Sequence, residues 1–211
     1  MTRIVITSDT HMEFPNLPEG DLLIHCGDFT YMGFDTMSES EVSANFDWLG
    51  GESHKFKRMI GVAGNHDWGF SRDTFEPFMQ LLFDDEIEFD GLRIYGTPYV
   101  PKFFDWAFME SETVLANRYA EIPEGLNILI THGPPDGILD INKHGNHCGS
   151  TSLRSRLRDM KQRPLIHCFG HIHPHNGNQP QHTEEMGIKF YNAAYVDEEY
   201  NPTNGIVVID I

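Results

Sequence analysis

Cysteine is scarce: Cys26, Cys148 and Cys168 are the whole complement of a 211-residue chain. An odd number of scattered thiols makes no disulfide scaffold, so the fold must rest on an apolar core, and the thiols read as reduced. Long apolar runs are missing too. The longest windows, 22–26 (LLIHC) and 126–130 (LNILI), fall far short of the roughly 18–20 residues that cross a bilayer. The first residues show no basic stretch, apolar plateau and cleavage site in succession, so a cytoplasmic protein without a membrane span is the expectation. Positive charge is the third shortage. Fifteen Lys and Arg stand against 32 Asp and Glu, a net charge of −17, and such a field repels polyanions and disfavours duplex nucleic acid as a partner. A small anion could still dock where bound metal reverses the local field. Repeats, low-complexity tracts and Pro/Ser-rich linkers are absent, so residues 1–211 read as a single domain.

Apolar runs without alternation occur at 3–8, 21–26, 58–63, 126–131 and 164–169, the pattern of strands buried on both faces. Helical patterns fall after Ser38, whose spacing to Glu41 makes a capping box, and at 73–82, 110–120 and 151–162. Asp90-Gly91 marks a hairpin, and 187–192 and 205–211 are expected to be further strands. The class is α/β, with a four-layer α-β-β-α sandwich as the architecture. The aromatic, Pro-rich segment 96–109 reads as a long ordered loop, favoured as a wrap over the sheet edge and otherwise a substrate-facing wall.

Twelve histidines are many for this length, and they recur, with carboxylates, directly after the strand-like runs. Asp9 and His11 follow the first, Asp28 the second, and Asn65, His66 and Asp67 the third; His132 and then His171 and His173 follow the last two. Ligands of open α/β sheets sit beyond the carboxyl ends of strands, so these residues are expected to converge there on a dinuclear metal site. Imidazole, carboxylate and amide donors without thiolate suit manganese, iron, zinc or nickel. An Asp shared by two such ions would hold them about 3.5–4 Å apart and let a bridging water lose its proton near neutral pH.

Asp9-x-His11, Gly27-Asp28, Gly64-Asn65-His66-Asp67, His132-Gly133 and Gly170-His171-x-His173 resemble, in order, the blocks of the calcineurin-like metallophosphoesterase superfamily. The wording SDTH, GDFT, YGTPY and THGPP is closest to its small metallophosphoesterase-domain (vertebrate brain-type) subgroup and microbial relatives. The resemblance implies one metal on Asp9, His11, Asp28 and His173, and a second on Asp28, Asn65, His132 and His171, with Asp28 bridging. Manganese is the favoured metal. By the same resemblance His66 is no ligand but lies beside the substrate, where it would protonate the leaving oxygen while metal-activated hydroxide attacks phosphorus. Asp28 and Asn65 join it as catalytic residues, and Asn65, His66 and His132 as substrate contacts. Some subgroup members lack the histidine equivalent to His171 and are weakened; its presence here implies full activity. Asp67 is expected equally to orient His66 or to cap the turn.

Phosphatases of the superfamily clamp a monoester dianion with arginines near the second and third blocks. Here those positions read Phe29-Thr30-Tyr31-Met32 and Gly61-Val62-Ala63, which favours a monoanionic diester. The expectation is a small-molecule phosphodiesterase, with a 2',3'- or 3',5'-cyclic nucleotide as the best single substrate. The alternative is a phosphomonoesterase or pyrophosphatase on a nucleotide or similar small molecule; a non-enzymatic metal-binding scaffold is more remote, since neither a ligand nor His66 is missing. Nothing in the sequence sets the oligomeric state. His144, His147 and Cys148 match no structural zinc spacing and read as a flexible substrate loop. The segment 149–152 reads as a helix cap in preference to a phosphate site, the Arg/Lys run 154–163 as a solvated helix face, and His25 and His167 as core or ligand-supporting.

Overall fold

A computed structural model describes residues 1–33, 36–70, 72–174 and 181–211. One sheet takes β1 (Arg3–Thr7), β2 (Leu22–His25), β3 (Arg58–Gly61) and β4 (Gln80–Leu81) in parallel, with β13 (Val207–Asp210) antiparallel on the outer side of β1. The other is built on four parallel strands, β6 (Leu92–Thr97), β9 (Ile128–Thr131), β10 (Ile166–Phe169) and β12 (Ile188–Asn192). Antiparallel edge strands β5 (Asp85–Phe89) and β11 (His182–Glu185) flank them, giving the order β11-β12-β10-β9-β6-β5.

The uninterrupted apolar runs follow from this layering. Ile4 and Ile6, Leu22 and Ile24, and Ile60 and Val62 point into a core shared with Ile94, Ile128, Ile130, Ile166 and Cys168 of the second sheet. Intervening Val5, Leu23 and Met59 point the other way, onto Trp48 and Leu49 of α1 (Glu39–Glu52) and Phe75 of α2 (Arg72–Phe75). Leu129 and Phe169 likewise meet Leu115 and Tyr119 of α3 (Glu112–Ala120) and Leu153 and Leu157 of α4 (Thr151–Asp159). The central strands β1, β2, β3, β9 and β10 are thus apolar on both faces, and the layers run α-β-β-α.

The capping box at Ser38 and Glu41 and the Asp90-Gly91 hairpin are present as read. Three readings need correction. The helix expected over 73–82 stops at Phe75, because Pro77 cannot continue it, and Gln80–Leu81 instead pairs with β3. The segment 96–109 is bounded by a short ladder, β7 (Val100–Pro101) with β8 (Met109–Glu110), rather than being loop throughout. Strand β11 went unread because its sequence, HTEE, is polar on both faces. No described helix is long and apolar enough to cross a membrane.

Candidate metal centre

Asp9 and His11 follow β1, Asp28 follows β2 and Asn65 follows β3, all in one sheet; His132 follows β9, and His171 and His173 follow β10, in the other. The structure brings these seven together at the carboxyl ends, across the seam between the sheets. Ligand atoms of Asp9, His11 and His173 lie within 4.8 Å of one another, as do those of Asp28, His132 and His171. Asp28 Oδ2 is 3.8 Å from His11 Nε2 and 3.3 Å from His132 Nε2, so one carboxylate oxygen reaches both groups. Asn65 Oδ1 lies 3.0 Å from His132 Nε2. Five of the seven are buried, and His171 and His173 are half-buried.

Close approach depends on glycine. A Cβ on Gly170 would stand 1.9 Å from Asp9 Oδ2, and one on Gly64 2.2 Å from Asp28 Oδ1.

Three imidazoles are oriented in one way. His11 Nδ1–H donates to the Thr30 carbonyl (2.8 Å), His132 Nδ1–H to Cys26 (2.8 Å) and His173 Nδ1–H to Asp197 (3.0 Å). Each leaves Nε2 turned toward the carboxylates, the tautomer a metal ligand requires. His11 Nε2 is buried with no hydrogen-bond partner among the described residues. Such an orphan is costly unless a cation takes its lone pair. Burial pushes His11 down to about 4 and His171 to about 3, so both rings are neutral near pH 7. Burial also opposes charge on Asp28, yet His132 and His66 beside it hold its carboxyl well below the usual range. Burial works against a proton on His132 as well, but Asp28 and Asp9 raise it to about 9. The orphaned nitrogen, the fixed tautomers and the N/O donor set fit a pair of divalent ions.

His66 is half-exposed at the edge of this cluster, its ring centroid 4.7 Å from His11 and 4.2 Å from Trp106. Its amide donates to Asp28 Oδ1 at 2.7 Å, and its Nδ1–H donates to the Tyr31 carbonyl. That carbonyl, not Asp67, orients the ring. Asp67 caps the turn instead, accepting from the amides of Asp28, Phe29, Thr30 and Gly64 at 2.8–3.2 Å and from the Thr30 hydroxyl. Burial and the Asp28 charge push its carboxyl up, but both oxygens face N–H donors, which leaves no room for an acid proton.

Two further readings resolve. The cap reading of 149–152 holds: Ser150 Oγ caps α4 at Leu153, and the Glu112 carboxylate takes the Thr151 and Ser152 amides at 3.2 and 2.9 Å, so no amide there awaits a phosphate. His25 and His167 are at once core and supporting residues: His25 is stacked 3.6 Å on Phe29, accepts the Gly27 amide on Nδ1 at 3.2 Å and meets Thr10 Oγ1 with Nε2 at 3.2 Å, and His167 is bonded to Thr131 Oγ1, next to His132, at 2.8 Å. His175 lies outside the described residues. An aromatic rim surrounds the cluster: Trp106 packs on His66 and Phe103 on His171, which favours the substrate-facing wall over the sheet-edge wrap for segment 96–109, while Tyr31 and Tyr200, which pack on His11, have no counterpart in the sequence reading. Segment 96–109 therefore walls the site, with Ala107 N donating to the Asn65 carbonyl at 3.2 Å.

Comparison with known proteins agrees with this geometry. Human metallophosphoesterase domain-containing protein 1 is 34% identical over 242 residues, covering 100% of this chain and 71% of that protein. A UPF0046 protein of Caenorhabditis elegans is 32% identical over 248 residues, 99% of this chain and 60% of the relative. A probable rhamnogalacturonate lyase C of Emericella nidulans is 35% identical over 195 residues, 85% of this chain but 18% of that protein. The family model for calcineurin-like phosphoesterases matches residues 2–175, the span that contains every residue of the cluster, and the chain belongs to that family.

Proposed function

We propose that this metal-dependent phosphoesterase hydrolyses a small phosphodiester, with a 2',3'- or 3',5'-cyclic nucleotide as the substrate class, manganese as the working metal and the cytoplasm as its compartment. The observation that carries the reading is the character of the rim. Around the cluster stand Tyr31, Trp106, Phe103 and Tyr200, and the residues flanking Asp28 and Asn65 in sequence supply no guanidinium. A dianionic monoester calls for a bidentate cation, whereas a monoanionic diester carrying a flat ring is suited by aromatic walls.

Asp9, His11, Asp28 and His173 would hold one ion and Asp28, Asn65, His132 and His171 the other. When bound, the pair supplies Lewis-acid charge for the phosphoryl oxygens and for a water nucleophile. The chain does the rest. Asp28 fixes the backbone of His66 through its amide, and the Tyr31 carbonyl fixes the ring. With Nδ1–H committed there, Nε2 is the atom that would give a proton to the departing oxygen, the ring entering as imidazolium and returning to the Nδ1–H neutral form. Asn65 and His132 complete the wall against which the phosphate rests. One feature favours the monoester or pyrophosphate reading: Lys143 lines a cavity together with His171 and His173, although it also pairs with Glu198 at 3.8 Å.

The test is to strip the protein of metal, restore manganese, and compare bis(p-nitrophenyl) phosphate with p-nitrophenyl phosphate. A preference for the diester, with His66→Ala slowing kcat by about 10²–10⁴-fold at unchanged metal content, is expected. Preference for the monoester would move the assignment to a phosphatase. No turnover of either ester with both metals bound would leave a binding protein.

A further inference from the structure

Beside the metal centre lies a cavity of ≈ 500 Å³, lined by Pro101, Phe103, His147, Cys148 and Ile172, and by His171 of the ligand cluster. Phe103 is 55% exposed, with its ring 5.8 Å from that of His171. His147 is held in an unusual way for a surface histidine. Its Nδ1–H donates to Asp140 Oδ1 at 2.7 Å, and Asp140 is completely buried. The second carboxylate oxygen of Asp140 accepts from the amides of Gly137 and Gly149 at 2.9 and 3.1 Å, so it has no freedom to swing away.

The hairpin that carries His147 is braced as well. Asn142 N donates to the Asn146 carbonyl, Asn142 Oδ1 accepts the amides of His144 and Asn146, and the Lys143 amide donates to Glu198. The flexible loop expected of this segment is instead a tied turn. Fixing one face of an imidazole on a buried carboxylate sets its tautomer and leaves Nε2 as the group presented outward. The side chain is 55% exposed and lines the cavity. The Asp140 hydrogen bond also raises the affinity of the ring for a proton; Nε2 accepts when the ring is neutral and donates when it is protonated, and His147 shares the lining of the cavity with Phe103.

We propose that this cavity seats the ring of the substrate's alcohol moiety, an aromatic heterocycle of nucleobase type. Phe103 is its stacking face, His147 Nε2 the group that reads a polar atom on the ring edge, and Asp140 the positioning residue behind it. The proposal rests on the phosphodiester reading of the metal centre, which places the phosphate on the His171 side. The cavity's size falls within the range of small-molecule sites, and a flat ring against one exposed phenyl face matches its aromatic, sparsely polar lining.

The test compares two cyclic diesters on the manganese-loaded protein: adenosine 2',3'-cyclic phosphate, and glycerol 1,2-cyclic phosphate, which offers the same five-membered phosphate ring without a base. The wild type should favour the nucleotide by about tenfold or more in kcat/KM, with the difference in KM, the scale of one base stacked on one aromatic ring. Phe103→Ala and His147→Ala should each lower kcat/KM for the nucleotide about tenfold further than for the glycerol ester, and His147→Gln, which keeps a polar edge group, should recover part of the loss. Equal losses on both substrates, or no nucleotide preference in the wild type, would overturn the assignment. Calorimetric binding of adenosine 2'-monophosphate against glycerol 2-phosphate gives a readout independent of turnover. If neither diester is hydrolysed, the phosphodiesterase reading falls. The ring site then stands if the adenosine ligand binds about tenfold tighter and loses that advantage in Phe103→Ala, and falls if the two affinities are equal.

Discussion

Replacing Gly64 by alanine tests the metal centre through a single methyl group. Gly64 does not adopt the left-handed backbone that would itself demand glycine, so the substitution probes space alone. The new Cβ would stand 2.2 Å from Asp28 Oδ1, 2.5 Å from Asp28 N and 2.6 Å from His132 Cε1. Ordinary contact requires the carboxylate to retreat by about 1 Å. Neither neighbour can yield freely. Asp28 Oδ1 accepts the His66 amide at 2.7 Å, the Asp28 amide donates to Asp67 at 2.8 Å, and His132 is pinned to the Cys26 carbonyl at 2.8 Å. Because Asp28 Oδ2 reaches both candidate ligand groups, the shift would disturb both metal sites and the His66 backbone together. Overpacking costs about 1–3 kcal/mol of stability, a displaced ligand about 10–100-fold in metal affinity, and a 1 Å error at the reacting centre about 10²-fold in rate. Urea unfolding, manganese titration calorimetry and hydrolysis of bis(p-nitrophenyl) phosphate measure the three separately. Gly51→Ala serves as the control. It lies in the last turn of α1 with nothing within 4 Å of its Cβ, and should be neutral or stabilising by up to about 1 kcal/mol. A folded Gly64→Ala protein whose manganese affinity and kcat both stay within about threefold of wild type would refute the reasoning.

Asp67→Asn turns an acceptor for four amides into a group with one acceptor and a clashing NH2, and should cost about 2–3 kcal/mol in urea unfolding; an unchanged midpoint would mean the cap is dispensable. Glu112→Ala should lower stability by about 1 kcal/mol through loss of the α4 N-terminal contacts, while diester turnover holds; a large rise in KM would point to a phosphate role for those amides after all. Burial lowers His167 to about 3, below its unfolded value of 6.5, so the unfolded chain takes up a proton the folded one refuses. Its contribution is intact above pH 6.5 and is lost as pH falls toward 3, at up to about 1.4 kcal/mol per pH unit, and His167→Gln should flatten the unfolding free energy between pH 6 and 4.5 by about that slope. An identical pH slope in the variant would count against a neutral buried imidazole.

What was legible beforehand is what side chains announce. The clustered residues are those whose chemistry shows in their letters, and the strands before them are apolar on both faces, so both the sandwich and the seven-residue cluster could be read. Partners that act through backbone atoms could not. The carbonyls of Thr30, Cys26, Asp197 and Tyr31 set four imidazoles, yet nothing in those residue types marks them. Asp67 was left undecided because a carboxylate beside a catalytic histidine and one beneath a turn are written alike, and only the five donors around it separate them. Tyr200 joins the rim from beyond the last block, where its own sequence, EEYNP, signals a turn and nothing more. Pro77 sits inside the run 73–82, whose pattern reads as helical, and accounts for the short α2.

The candidate ligands also do structural work that their chemistry alone would not require. Asp9, His11, Asp28 and His171 all have left-handed backbones, with φ of 50°, 41°, 57° and 68°, a conformation that costs a non-glycine residue about 1 kcal/mol or more. Such strain persists only where surrounding contacts over-determine it. Here those contacts are made largely among the ligands and the turns that present them. Asp9 of the first sheet accepts the His171 amide of the second, and His132 of the second donates to the Cys26 carbonyl of the first. His173 Nε2 meets Asp9 Oδ1 at 3.2 Å across the same seam. The turns that aim these groups are therefore also the ties that close the two sheets at one end. A ligand substitution should consequently loosen partners it does not touch, because removing Asp9 releases the amide that sets the φ of His171 in the opposite sheet. Cross-sheet contacts of this kind offset the strain of the turns and hold donor atoms from residues as far apart as Asp9 and His173 within a few ångströms without a covalent link, and the glycines that make room for them, Gly64 and Gly170, lie immediately before the turns that bear the cluster.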